Sequence, residues 1–589
     1  MTRVAVIDFE LCKPKKCDYL CKRVCPRNKT GEECITIDEI TKFPKIDENI
    51  CIGCGICVHK CPFKAITIVN LPEQLKEHPI HRFGRNKFLL FRLPYPIPGQ
   101  VVGLMGPNGL GKTTALMILS GQIKPNLGES RKNYDLSELI RLFRGTELQN
   151  YLEKLKEKEI KVSYKLQRVD KIPENYTGTV SKLIEKTDER GVLDELIKRF
   201  DINDVLDDQI KDISGGELQR VAIAASLAKD ADIYYFDEPT SFLDVFQRLE
   251  VSKAIREFCQ NKSVMITDHD LATLDFLTDR IHIFYGVPTV YGIISNPYPV
   301  KTGINTFLDG YLKEENVRIR PEAIKFASGF VQSSRGNRIL IEFDGIEKKL
   351  GDFRLLTKNG KLYEKEVMGI LGANALGKTT LARIFAGEMK QDSGYINGKV
   401  KISYKSQYPR TDFDGTVHDL LSSITKEFST SSYNSEIIRP LNLEKLLERD
   451  INKLSGGELQ RVAIAVAMSQ DSDIYLLDEP SAFLDVEMRL SLADMIRKIV
   501  EKKDCSVMII DHDLLLLSQI SDRAMVFLGK PGKEGYVEEP SNVENAFNTF
   551  LKQVGITFRK DPQTGRPRAN KIDSQLDKEQ RERGKYFMK

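Results

Sequence analysis

No run in these 589 residues approaches the roughly 18–20 apolar residues that cross a bilayer, and no apolar secretion-signal core follows the first methionine. A membrane span is therefore not expected, and the chain reads as cytosolic. Charge of one sign is lacking too. Lys and Arg number 88 against 84 Asp and Glu, a net +4, which selects no class of partner. Histidine numbers only seven, and of eleven cysteines just Cys259 and Cys505 lie beyond Lys64. Nine cysteines crowded into the head of a chain without a secretory mark favour metal over disulfides. The hydrophobic fraction of 41% is ordinary for a soluble protein. The length allows several domains, each with its own core.

What is present is one set of motifs written twice. Gly106-Pro107-Asn108-Gly109-Leu110-Gly111-Lys112-Thr113 recurs as Gly372-Ala373-Asn374-Ala375-Leu376-Gly377-Lys378-Thr379, each followed by a further threonine, Thr114 and Thr380. Ser214-Gly215-Gly216-Glu217 recurs as Ser455-Gly456-Gly457-Glu458. Asp237-Glu238-Pro239 recurs as Asp478-Glu479-Pro480, and Asp268-His269-Asp270 as Asp511-His512-Asp513. The serine precedes the acidic Asp by 23 positions in both copies. Apolar runs lead into the motifs: Val101–Met105 and Val367–Leu371, Ile233–Phe236 and Ile474–Leu477, Ser263–Thr267 and Val507–Ile510. Helical patterns over Glu217–Lys229 and Glu458–Ser469 lie between them. This alternation predicts an α/β fold with two largely parallel sheets.

The glycine-rich turns imply phosphate binding, because such a turn points backbone N–H groups at an anion at the positive end of a helix. Lys112 and Lys378 would contact the β- and γ-phosphates, and Thr113 and Thr379 would hold Mg²⁺. Asp237 and Asp478, at strand ends, can reach the same ion. Glu238 and Glu479 would orient or deprotonate the attacking water, and His269 and His512 would sense the γ-phosphate. Ser-Gly-Gly-Glu is a capping box. Its paired glycines also leave the helix start open to an anion. Ala375 replaces Gly109, and alanine resists positive φ, so unequal sites are expected.

The copies differ in length in one interval. Gln167 lies 55 positions after Lys112, whereas Gln407 lies 29 after Lys378. The first copy thus carries about 26 extra residues, near Arg131 to Glu157, with helical spacing over Leu136–Phe143 and Leu148–Leu155. The reading is a helical hairpin, either a solvated elaboration or a docking element. Asn305-Thr306-Phe307-Leu308 is also matched by Asn548-Thr549-Phe550-Leu551, so the duplication extends past each set of motifs. From Lys552 to Lys589, 11 Lys and Arg face 5 Asp and Glu, with Arg566, Arg568, Arg581 and Arg583 among them. Such a tail is compatible with RNA phosphates or with plain solvation.

In the head, Cys51-x2-Cys54-x2-Cys57-x3-Cys61-Pro62 is the ferredoxin ligand run for a [4Fe–4S] cluster. Cys12-x4-Cys17-x3-Cys21-x3-Cys25-Pro26 is a looser version. The last Cys of each run serves the other cluster in two-cluster ferredoxins. This gives Cys12, Cys17, Cys21 and Cys61 for one cluster, and Cys51, Cys54, Cys57 and Cys25 for the other. Cys34 falls outside both runs and is not expected to be a ligand. Zinc in a Cys₄ site competes, although zinc modules present paired C-x-x-C knuckles.

The doubled motifs resemble the ATP-binding-cassette superfamily across both copies. That resemblance implies that each signature completes the site of the other copy. One site would use Lys112, Thr113, Gln167, Asp237, Glu238 and His269 with Ser455 and Gly457. The other would use Lys378, Thr379, Gln407, Asp478, Glu479 and His512 with Ser214 and Gly216. Gln167 and Gln407 would join the Mg²⁺ shell, and Asp244 and Asp485 match the loop that links the two sites. With the cysteine head and the one-sided insertion, the whole chain resembles the soluble class E cassette proteins, or RNase L inhibitors. This resemblance implies an N-terminal ferredoxin-like domain over 1–75, cassettes over 76–287 and 326–533 packed head to tail, a hinge over 288–325, and a C-terminal hinge and basic tail over 534–589. It implies an ATPase that splits ribosomes after termination or rescue and stays on the small subunit and its rRNA. The expected partners are a release or rescue factor, against which the head would swing, and initiation factors, with no membrane and a monomeric chain. Two [4Fe–4S] clusters, ATP and Mg²⁺ are the implied cofactors. An ATP-gated electron-transfer protein is the alternative, separated by whether the clusters cycle during turnover. A transporter motor leaves the metal head without a use.

Overall fold

The apolar runs before the motifs are strands buried along their whole length: Val101–Met105, Ile233–Asp237 and Ser263–Thr267 in the first copy, and Val367–Leu371, Ile474–Asp478 and Ser506–Ile510 in the second. Strands without an exposed face belong at the centre of parallel sheets covered by helices. The computed structural model describes residues 3–71, 78–129, 132, 134–324, 326, 336–407, 413–571 and 573–587. The expected boundaries at 75–76 and 325–326, and the start of the insertion at Arg131, touch residues outside these. Two compact units result. The first holds Met1–Pro239, Ala254–Asp268 and Leu277–Ala323; the second holds Thr240–Lys253, His269–Phe276 and Ile324–Lys589.

In the first unit an eight-stranded sheet runs in the order Pro79–Arg82, Leu89–Phe91, Tyr291–Pro299, Arg280–Val287, Val101–Met105, Ser263–Thr267, Ile233–Asp237, Val162–Lys165. Ser263–Thr267 pairs in parallel with both Val101–Met105 and Ile233–Asp237, so the phosphate loop and the acidic pair leave the same sheet edge on either side of one strand. Ligands of open α/β sheets bind at such ends. In the second unit Val367–Leu371, Ser506–Ile510, Ile474–Asp478 and Ile402–Lys405 repeat the arrangement inside an eleven-stranded sheet. Among the described residues, no helix is long and apolar enough to cross a membrane.

The expected hinge over 288–325 is in part regular structure. Tyr291–Pro299 is a strand of the first sheet, paired with Arg280–Val287 and Leu89–Phe91, and Val300–Asp309 is a helix. Its Pro, Gly and Asn content suggested a loop, but Ile293, Ile294, Tyr298, Ile304 and Phe307 are buried and outweigh that composition. The matched helix Val543–Val554 also ends on a left-handed glycine, Gly555, as Val300–Asp309 ends on Gly310. The tail is corrected as well. The strands Phe558–Lys560 and Pro567–Ala569 and the helix Gln575–Glu582 fold it. Arg566, wholly buried, lies 3.2 Å from Asp275, and Arg568 lies 2.6 Å from it. Neither is free for a phosphate. Their partner stands some 290 residues upstream, too far for a local charge count to see.

The insertion is two helices, Leu136–Leu142 and Glu147–Lys156. Leu139, Leu148, Tyr151 and Leu152 join the core of the first cassette. The Tyr151 hydroxyl lies 2.7 Å from that of Tyr235 and donates to the Leu119 carbonyl at 2.6 Å. Arg141, Arg144 and Lys154 face solvent.

The head pairs Arg3–Ile7 with Ile66–Asn70 and Ile35–Ile37 with Pro44–Ile46. It joins the cassette through a buried polar seam. Arg82 donates to both Glu48 oxygens, at 2.7 and 2.8 Å, and Glu48 also accepts from the Ala5 N–H at 2.8 Å. The Asn86 side chain donates to the Ala5 and Ile46 carbonyls, both at 3.0 Å, and accepts from the Ile46 N–H at 2.9 Å. Removing one partner of a buried ion pair strands the other charge. Glu48→Ala is thus expected to lower stability by about 3–5 kcal/mol in urea unfolding, and Glu48→Met with Arg82→Met to recover much of that. A single-variant cost as small as that of a surface pair would refute the seam's importance.

Candidate functional site

In the first copy Gly111 (φ 89) caps the helix Lys112–Leu119, and in the second Gly377 (φ 86) caps Lys378–Phe385. Their left-handed backbone turns the loop N–H groups inward, conformations that glycine adopts without cost. The buried lysines fold back on the loops. Lys112 donates to the Gly106 and Pro107 carbonyls at 2.7 and 3.0 Å, Lys378 to those of Gly372 and Ala373 at 2.9 and 2.6 Å. An ammonium resting on carbonyls beside a ring of donors is poised for an anion. An aromatic ring, Phe88 or Phe353, stands beside each capping glycine.

The loops close alike but not at equal cost. Gly109 (φ 76) accepts a hydrogen bond from the Thr289 N–H at 2.9 Å, and Ala375 (φ 57) from the Gly532 N–H at 3.0 Å. A left-handed alanine costs roughly 1–2 kcal/mol. The expected inequality therefore has a structural counterpart.

The acidic pairs sit in matched networks. In the first copy, Gln167 donates to Glu238 at 2.7 Å, Thr113 to Gln167 at 3.5 Å, Tyr164 to Asp237 at 3.3 Å and Thr267 to Asp237 at 2.5 Å. In the second, Gln407 donates to Glu479 at 2.8 Å, Thr379 to Asp478 at 2.7 Å and Tyr404 to Asp478 at 3.4 Å, while His512 Nε2 lies 3.5 Å from Glu479. Glu238 and Glu479 hold left-handed φ of 46° and 47°. Strain of this kind costs about 1–3 kcal/mol and collects at functional sites.

Burial raises Asp237, and pushes Asp478 up to about 6. For Glu479 burial also acts upward, but the His512 ring, Lys378 and Gln407 overcome it and bring it down to about 2. Two adjacent carboxylates driven apart in this way suit different roles: one to ligate, one to remain ionised as a base. Asp478 Oδ1 is buried without a hydrogen-bond partner, as suits an oxygen waiting for a cation. Asp237 Oδ1 instead accepts from Thr267, where the second copy has Ile510.

Several supporting residues escaped the sequence reading. Lys165 donates to the carbonyls of Asp237 and Glu238, and Lys405 to those of Asp478 and Glu479. Burial brings both lysines down to about 8. Gln219 and Gln460 donate to the Glu238 and Glu479 carbonyls at 2.8 and 2.6 Å. Their signal was the duplication itself, in Ser163-Tyr164-Lys165 against Ser403-Tyr404-Lys405.

Ser214 and Ser455 are exposed at the starts of Gly215–Leu227 and Gly456–Met468, in capping boxes with Glu217 and Glu458. Asp485 caps Val486–Lys503. Asp244 lies in the second unit, where it accepts from the Asn374 N–H at 2.7 Å. A loop of the first copy thereby touches the phosphate loop of the second. His269 is buried.

In the head, the thiols of the two runs lie close to one another, Cys57 being near Cys21 of the other expected set as well as its own. Cys12 feels Cys21, Cys61 and Cys17, and Cys57 feels Cys51, Cys54 and Cys25 among others. Burial is the main cause raising Cys12 and Cys57, each to about 12. Cys25, Cys34, Cys51, Cys54 and Cys57 line one small cavity with Ile35, Ile46 and Ile68, and soft sulfur donors of this kind suit an iron–sulfur centre.

A family profile described as "ABC transporter" matches residues 97–241 and 356–482. "Possible Fer4-like domain in RNase L inhibitor, RLI" matches residues 2–33, and "4Fe-4S binding domain" matches 44–67. The Saccharomyces cerevisiae protein "Translation initiation factor RLI1" is 43% identical over 599 residues, covering 100% of this chain and 98% of its own. Among solved structures, "Model of ribosome-bound archaeal Pelota and ABCE1" aligns with a TM-score of 0.95 and 48% identity, covering 100% of this chain and 99% of that one. The archaeal ribosome recycling factor aABCE1, solved in complex with a ribosomal stalk protein, aligns at a TM-score of 0.83 and 48% identity, over 88% of this chain and 100% of that one.

Proposed function

Because this chain belongs to the class E ATP-binding-cassette family, the RNase L inhibitor proteins, we infer that it is an ATP-driven ribosome recycling factor. It splits ribosomes into subunits after termination or rescue, acts in the cytoplasm with a release or rescue factor, and stays on the small subunit, where initiation factors can meet it. The observation carrying this reading is the likeness, along the whole chain, to a protein solved on the ribosome with Pelota. Intact catalytic residues in both copies support it. Ribosomes given this protein, a rescue factor and ATP should sediment as separate subunits, and without ATP they should stay whole. An unchanged sedimentation profile in both would sink the reading.

ATP is hydrolysed at two composite sites. At each, Lys112 or Lys378 and the loop N–H groups bind the phosphates, and the opposite Ser455–Gly457 or Ser214–Gly216 closes over the γ-phosphate. Thr113, Gln167 and Asp237 in one, and Thr379, Gln407 and Asp478 in the other, would hold Mg²⁺, which when bound offsets phosphate charge. Glu238 or Glu479 takes a proton from water as its oxygen attacks the γ-phosphorus and the bond to the β-phosphate oxygen breaks. His269 and His512 report the γ-phosphate, and Asp244 and Asp485 link the sites. We keep the domain division stated above, except that Tyr291–Pro299 belongs to the sheet of the first cassette.

In the head, Cys12, Cys17, Cys21 and Cys61 would hold one [4Fe–4S] cluster, and Cys25, Cys51, Cys54 and Cys57 a second. Bound clusters cross-link loops and can carry electrons. Anaerobically purified protein should contain about eight iron atoms per chain, four per cluster, by elemental analysis. Stoichiometric zinc with negligible iron would refute both clusters.

A further inference from the structure

Each glutamate of the acidic pairs stands in a backbone conformation that its side chain disfavours, with φ of 46° at Glu238 and 47° at Glu479. The Asp237 carbonyl belongs to the peptide plane before the Glu238 Cα, and the Glu238 carbonyl to the plane after it. Lys165 Nζ donates to both, at 3.0 and 3.2 Å. Lys405 Nζ grips the Asp478 and Glu479 carbonyls in the same way, at 2.7 and 3.3 Å. The angle between two such planes is set by φ and ψ of the residue they flank. One ammonium on both carbonyls therefore fixes the conformation of the glutamate between them.

Other bonds brace the grip. The Glu238 N–H donates to the Thr267 carbonyl and hydroxyl at 3.1 and 2.9 Å, and the Glu479 N–H to the Ile510 carbonyl at 2.8 Å. The lysine strands are themselves anchored, since Ser163 donates to the Ser226 carbonyl and Ser403 to the Ala467 carbonyl, both at 2.9 Å. Those carbonyls lie on the helices Gly215–Leu227 and Gly456–Met468, from which Gln219 and Gln460 reach the same glutamate carbonyls. Lys165 and Lys405 are 2% and 3% exposed. An apolar residue would fill either strand position without the cost of burying a charge. What it could not do is hold two carbonyls.

We propose that Lys165 and Lys405 are positioning residues for ATP hydrolysis, each holding its glutamate in the left-handed turn and so setting where the carboxylate meets the attacking water. They act through Glu238 and Glu479 and take no proton themselves. Without the ammonium the strained turn relaxes and the carboxylate shifts from its water. This rests on the general-base reading above.

The test is steady-state ATPase of the full-length chain in a cycle of variants: Lys165→Met with Lys405→Met, Glu238→Gln with Glu479→Gln, and all four changes together. The Lys pair should turn over about 10²-fold more slowly than wild type, the cost of misplacing a reacting group by roughly 1 Å, with KM for ATP unchanged. Adding the Lys changes to the Glu pair should slow it no further, because residues that act as a unit are not additive. Wild-type turnover in the Lys pair, or a raised KM with kcat retained, would overturn the proposal. So would a further loss by the same factor in the combined variant, which would mean that the lysines act apart from the glutamates. If the Glu pair alone turns over at the wild-type rate, the general-base reading fails instead. Should the Lys pair be insoluble, Gln219→Leu with Gln460→Leu removes the other grip on the glutamate carbonyls, and the same comparison decides.

Discussion

Glu479→Gln should slow ATP turnover at its site by ~10²–10⁴-fold, the usual cost of losing a general base, while ATP still binds. With Glu479 brought down to about 2, the carboxylate is ionised throughout the working range and can accept the hydrogen bond of the attacking water. Gln cannot accept a proton, yet its amide oxygen can still take the hydrogen bond from Gln407. Lys378 and the loop are untouched, so nucleotide should stay on the protein as ATP. Glu238→Gln should act in the same sense but leave a different residual rate. The copies differ at Gly109 against Ala375 and at Thr267 against Ile510, one altering the cost of the phosphate loop and the other the hydrogen bonding of the metal-side Asp. Single-turnover hydrolysis with a count of retained nucleotide measures both effects. Equal rates and occupancies in the two variants would remove the argument for unequal sites.

The second large effect is expected from surface charge alone. Excising the insertion would uncover Leu119 and Tyr235, because Tyr151 and its leucine neighbours complete that core. The separable part is the exposed set Arg141, Arg144 and Lys154. Replacing all three with Glu should leave the ATPase activity of the free protein close to wild type. Affinity for small subunits should drop, and the slope of log affinity against log salt should fall by about one per lost phosphate contact. Binding titrations at several salt concentrations read this directly. An unchanged slope would show that these cations meet no rRNA.

How much could be read without coordinates depended on the range of the forces involved. Strands leading into motifs were legible because they are short apolar runs buried on both faces, such as Ile474–Asp478. The phosphate lysines and acidic pairs were legible because their chemistry needs fixed spacing. Tyr291–Pro299 was missed because loop-like composition hid a buried strand. The partners of Arg566 and Arg568 were missed because Asp275 is distant in sequence. Lys165 and Lys405, buried under the acidic pairs, could have been found by aligning the two copies residue by residue.

The seam between head and cassette also sets how force would travel. Turning the head alone would break every hydrogen bond of the Asn86 side chain and separate the Glu48–Arg82 pair, each of them buried. Turning it together with the strands Pro79–Arg82 and Leu89–Phe91 spares those bonds but strains the ladder from Leu89–Phe91 to Tyr291–Pro299. Two residues beyond Asn86, the Phe88 ring lies against Gly111, the capping glycine of the first phosphate loop, with Leu90 alongside. A push on the far end of the head would therefore reach that loop as torque through a stiff arm only a few residues long.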